Sequence, residues 1–149
     1  MSDTWLCFIP TDPTAQPSPE ATANGVALLR SFAPDAERVT AEVFAQTQFF
    51  NAGANLTDIA CSARGTDAHD WRGDAMAIAH ASGFENLMVT TPCCGVTLSL
   101  NALYYDAPAG FARFVLKAMN PGLADISRDQ HAALELRLGL SLRRFVRRL

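Results

Sequence analysis

The order of apolar and polar positions divides the chain into short elements of two periods. Trp5-Leu6-Cys7-Phe8-Ile9-Pro10 is an unbroken apolar run closed by proline, the pattern of a strand buried on both faces. The polar, proline-rich residues 11–17 read as a loop. Ser18-Pro19-Glu20 then supplies an N-cap hydroxyl, a proline at the first helical position and an acid in the first turn, so a helix starts there. It runs to about Phe32 with Val26, Leu29 and Phe32 inward, and Pro34 stops it. Residues 38–44 alternate polar and apolar, the period of a half-buried strand. Residues 111–118 alternate again, with Ala112, Phe114, Leu116 and Ala118 on one face and Arg113 and Lys117 on the other. Ser127-Arg128-Asp129-Gln130 is a capping box whose helix ends at Gly139. The last residues predict a short amphipathic helix: Leu142, Phe145, Val146 and Leu149 form an apolar stripe opposite four arginines.

Between the second and third strands the pattern changes. The loose run Asn51-Ala52-Gly53-Ala54-Asn55 opens an insert, which we place at residues 55–105 of a single domain covering 1–149. A helix over about 71–82 stops at Gly83 as a left-handed cap. Residues 87–91 and 96–100 read as two strands joined through the Pro92-Cys93-Cys94-Gly95 turn. Outside the insert the order is strand, helix, strand, strand, helix. That predicts an α+β fold, a mainly antiparallel sheet with helices packed on one face.

Composition narrows the function classes. At 149 residues and 49% hydrophobic content the chain fills one domain with an ample core. The net charge of −3 argues against nucleic acid as the main partner, although Arg143, Arg144, Arg147 and Arg148 crowd the C-terminal end. No apolar run reaches the length of a membrane span. The N-terminal residues lack the basic and long apolar regions of a signal peptide. The expectation is a cytoplasmic protein without a membrane partner, its cysteines reduced or metal-bound.

The cysteines carry the strongest chemical signal. Cys61-Ser62-Ala63-Arg64-Gly65 has the outline of a Cys-x-x-Cys-Gly knuckle with arginine in the last ligand position, and Cys93-Cys94-Gly95 has the outline of a second. A tetrahedral zinc site needs four Cys or His ligands, and a guanidinium ligates no metal. Cys61, Cys93 and Cys94 are therefore candidate ligands of a degenerate site, with zinc possible only if His69, His80 or water completes the set. The expectation is no cofactor. The three histidines form no base–orienter pair that spacing can place. Asp67, Asp70 and Asp74 are accounted for by the N-terminus of the insert helix. No catalytic residue is assigned.

From about residue 5 to 149 the chain resembles small bacterial proteins of unknown function that carry a zinc-ribbon-like Cys-x-x-Cys…Cys-Cys insert. The resemblance rests on Ile59-Ala60-Cys61-Ser62-Ala63-Arg64-Gly65, Thr91-Pro92-Cys93-Cys94-Gly95 and Gly110-Phe111-Ala112-Arg113-Phe114. It implies zinc on positions 61, 64, 93 and 94, and Arg64 departs from it. An engineered binder built on such a scaffold has the same signature. Trp71, Arg72, Tyr104 and Tyr105, with Arg64, are residue types enriched at binding hot spots. The expected function is a non-enzymatic protein-binding module or inhibitor, its partner another protein with an acidic surface or a carboxylate-lined cleft. A zinc- or cysteine-dependent enzyme and a weak nucleic-acid binder are the alternatives.

Overall fold

The computed structural model describes residues 3–50, 59–60, 68–92, 95–105, 109–123 and 125–148. The chain opens with β1 (Thr4–Pro10), α1 (Pro19–Phe32) and β2 (Arg38–Phe50). The Ser18 hydroxyl accepts the Ala21 N–H at 3.1 Å, so the expected cap starts α1. After the insert come β7 (Gly110–Met119), α3 (Arg128–Leu138) and β8 (Leu142–Arg148); the intervening elements are β3 (Ile59–Ala60), α2 (His69–Ala81), β4 (Met88–Thr90), β5 (Thr97–Ser99) and β6 (Tyr104–Tyr105). Ser127 and Gln130 form the predicted capping box of α3, and Gly139 ends it at φ +73°, a conformation glycine adopts without a Cβ penalty.

The main sheet has the order β2-β7-β1-β8, with every neighbouring pair antiparallel. Leaving the insert aside, the order β-α-β-β-α-β with this strand arrangement is the ferredoxin-like fold: two βαβ units whose strands interleave. Both helices pack on one face. Leu29 of α1 and Leu134 and Leu138 of α3 meet Leu6, Phe8, Phe114 and Leu116 of the central strands in one buried cluster. The α+β class and the antiparallel sheet are therefore as the sequence predicts. Gly25 sets how closely the helices approach: a Cβ there would come within 2.6 Å of Leu138 Cδ2.

The C-terminal segment corrects the sequence reading. It is a strand, not a helix: each residue from Leu142 to Arg148 has a register partner in β1, from Pro10 back to Thr4. Leu-Arg-Arg-Phe-Val-Arg-Arg fits both a helical stripe and a two-residue alternation, so periodicity alone does not decide it. Pairing decides it, because β1 would otherwise carry an unpaired backbone edge beside a buried core. The consequence is that Val146 packs against the helix-side cluster while its neighbour Phe145 is buried in a cluster with Cys7, Ile9 and Val115.

β2 also runs further than residue 44. Its register slips between Val43 and Gln48, so the strand bulges and continues to Phe50. The insert expected at 55–105 lies within the stretch between Phe50 and Gly110. Its described part contains α2, close to the predicted helix, with Gly83 at φ +69° behind it. It also contains the predicted hairpin, β4 paired with β5. Two residues of β3 pair with β6. Ala79, Phe84, Leu87, Leu100 and Leu103 form its own buried cluster, which docks on Phe111 of β7. Asn101 ties the insert to the sheet: its Oδ1 accepts the Phe111 N–H at 2.9 Å and its Nδ2 donates to the Thr11 carbonyl at 3.1 Å. A zinc ribbon is not among the described features.

Gly25→Ala tests the helix contact. Alanine is the better helix former by roughly 1 kcal/mol, but overpacking against buried Leu138 costs about 1–3 kcal/mol. The net expectation is a loss of about 1 kcal/mol in urea unfolding, and a gain in stability would show that the helices do not approach this closely.

Candidate binding surface

Of the residues singled out by sequence, Cys61, Arg64, Cys93 and Cys94 lie outside the described residues. The backbone of Tyr104 and Tyr105 is placed, paired with Ala60 and Ile59 in the small ladder. Trp71 and Arg72 open α2. Trp71 is half-buried and packs on the insert cluster; its indole Nε1 is buried with no hydrogen-bond partner. Arg72 is half-buried, with its guanidinium carbon 4.8 Å above the Phe49 ring centre. That is a cation–π contact tying the insert to β2.

The structure brings together a different group, on the sheet face opposite the helices. Strand register places residues in rows across it. Arg38, Met119, Trp5 and Arg147 form one row; Thr40, Lys117, Cys7 and Phe145 form the next. In the row beyond, Glu42 pairs with Val115 and Ile9 with Arg143. Four of these side chains are basic and one is acidic, on a chain whose net charge is −3. The insert claims one end: Arg143 Nη1 donates to the Ala109 carbonyl and lies 3.3 Å from Asn101 Oδ1. At the other end Arg38 and Arg147 are exposed.

A cavity of about 260 Å³ opens at that end. Its floor is Cys7, Val115 and Phe145, which are 4%, 2% and 3% exposed. Trp5, Phe44 and Phe50 line it as walls, and Lys117 and Arg147 complete the lining. The Lys117 ammonium is held in two ways: it lies 2.9 Å from Glu42 Oε1 and 4.9 Å from the Trp5 ring centre. Sequence reasoning put Lys117 on the polar face of its strand and Trp5 in a buried one. It did not join them, because their adjacency comes from pairing of strands more than a hundred residues apart. A larger cavity of about 460 Å³ between α2 and the β4–β5 hairpin is lined by Ile78, Met88 and Leu100 among others, and among the described residues no charged one lines it.

The electrostatics of Cys7 argue against nucleophilic chemistry in the groove. Burial pushes its thiol up from 9.0 to about 11, against the opposing pull of Lys117 and Arg147. An activated cysteine needs the opposite shift. Among the described residues no group of three His, Cys, Asp or Glu side chains is placed to hold a metal, and no helix is long and apolar enough to cross a membrane. Compared with protein-family models, curated proteins and solved structures, the chain matches none. The class of the protein therefore rests on topology: a ferredoxin-like α+β domain with an insert between its second and third core strands.

The thiol shift predicts a pH effect. Between pH 9 and 11 the unfolded chain loses the Cys7 proton while the folded chain keeps it, so stability is present below pH 9 and falls as pH rises. The loss should be on the order of 2 kcal/mol. Urea unfolding of the chain and of Cys7→Ala across that window checks it: the two stability curves should converge as pH rises, and a constant offset would refute the buried thiol.

Proposed function

We propose that the chain is a non-enzymatic binding module that holds a protein partner with an acidic surface on the uncovered face of its sheet. The observation that carries this reading is the segregation of Arg38, Lys117 and Arg147 beside Trp5, Phe44 and Phe50 on one face of a net acidic chain. Arginine and aromatic side chains around a small apolar depression are the composition of a binding hot spot. Exposed cations steer an acidic partner and fix its orientation. Tying up Lys117 with Glu42 and Trp5 lowers the entropy lost when it meets a carboxylate. In this reading Arg64, Trp71, Tyr104 and Tyr105 extend the contact from the insert, whereas Arg72 holds the insert to β2 through Phe49.

The finer reading of the insert, a degenerate zinc-ribbon-like unit, belongs to the same proposal. Three thiolates and a guanidinium do not complete a closed tetrahedral site, so no function is routed through zinc. The purified protein should retain less than about one zinc per molecule by plasma emission spectroscopy, and Arg64→Cys should raise zinc content and Tm together, since structural zinc binding is coupled to folding. Stoichiometric zinc in the unaltered chain would contradict this.

The face itself is tested with a labelled acidic decapeptide of alternating Asp and Ser, read by fluorescence anisotropy. Binding should weaken about tenfold between roughly 50 and 500 mM salt as the Debye length shrinks. Arg38→Glu and Arg147→Glu should each lower affinity by about threefold or more with Tm unchanged, because both side chains are exposed. Equal binding of a basic peptide, or no response to either substitution, would sink the reading.

A further inference from the structure

We propose that the groove at the Trp5 end of the sheet receives a single apolar side chain of the acidic partner, with Lys117 and Arg147 taking the carboxylates that flank it. This inference rests on the binding-face reading above and names the chemistry of what is bound there.

Size argues for a side chain rather than a free ligand. Pockets for drug-sized ligands span roughly 300–1,000 Å³, and this cavity is about 260 Å³. Its floor is closed by Cys7, Val115 and Phe145, all nearly inaccessible, so an entering group is desolvated on one side by packed apolar atoms. Its aromatic wall comes from β2: Phe44 follows Glu42 by two residues and so shares its face, and the register slips between Val43 and Gln48. Phe44 lies inside the slip and Phe50 beyond it, and their rings meet at 5.8 Å. Phe44 has no register partner within the slip, and Arg113 Nε donates to its carbonyl at 3.2 Å. Arg113 is thus a positioning residue for the wall.

The rim selects charge. Lys117 lies between Glu42 and the Trp5 ring, and Arg147 is exposed directly across the strand pair from Trp5. A purely apolar partner would leave exposed Arg147 facing an uncharged surface. A second copy of this chain, docked face to face, would oppose Arg38, Lys117 and Arg147 to themselves, and like charges in contact are unfavourable. An apolar residue between acidic ones satisfies floor and rim together.

The experiment compares two acidic decapeptides that differ at one central position, leucine or serine, against the full chain. Anisotropy gives affinity, and the Trp5 indole N–H resonance, one of two in the chain, reports the groove. The leucine peptide should bind about tenfold more tightly, the scale of burying one aliphatic side chain, and should move the Trp5 resonance, which the serine peptide leaves in place. Phe44→Ala and Arg113→Gln should each erase the preference for leucine while the serine peptide binds as before. Equal affinities with an unmoved Trp5 resonance overturn the groove and leave the acidic face standing. Failure of both peptides to bind overturns the face as well. A ten-residue oligothymidylate that outcompetes both peptides would mean that the face reads single-stranded nucleic acid, and would overturn the protein partner.

Discussion

Pairing of β8 with β1 along its whole length is the constraint on which the rest of this structure depends. It places β1 between two strands, so Leu6 to Pro10 are buried and Trp5 to Phe8 have register partners on both sides. The same pairing splits the arginine-rich segment. Arg144 reaches Asp125 beside α3 at 3.1 Å, Arg143 turns to the insert, and Arg147 stays on the open face. A strand so rich in arginine also protects the sheet, since β8 is an edge and charged edges resist pairing with other chains.

The two faces of the sheet then have different fates. One is covered by α1 and α3, with Leu29 and Leu134 fully buried against Phe8 and Phe114. The insert docks on the ends of β2 and β7 through Phe49, Phe84 and Phe111, and among the described residues it reaches the other face at Arg143. The ring centres there lie 4.9 and 5.3 Å apart. Asn101 and Arg143 secure that junction with hydrogen bonds to backbone groups. The uncovered end keeps a small apolar groove under cations. A cationic, aromatic patch on a net acidic molecule is the reason binding is the reading we draw from this face.

Cys7 shows how burial decides between chemistries. Two cations near a thiol would lower its pKa in an open site, yet here desolvation outweighs them and raises it. The groove floor is therefore a packing surface. Lys117 is held at the margin of the groove by its contacts with Glu42 and the Trp5 ring.

Local chemistry alone determined much of the fold. Ser18 with Pro19 and Ser127 with Gln130 start their helices through short-range hydrogen bonds, Pro34 and Gly139 end them, and the uniform run at Trp5–Pro10 marks the central strand. These are contacts within a few residues, so the sequence contains both partners side by side. Tertiary structure alone decided the rest. The last seven residues suit either period, and only the vacant edge of β1 makes them a strand. Phe50 lines the groove from beyond a register slip in β2, which no periodicity predicts. Trp5, Lys117, Phe145 and Arg147 become neighbours through ladders that join the two ends of the chain, and long-range pairing of that kind leaves no trace in local spacing.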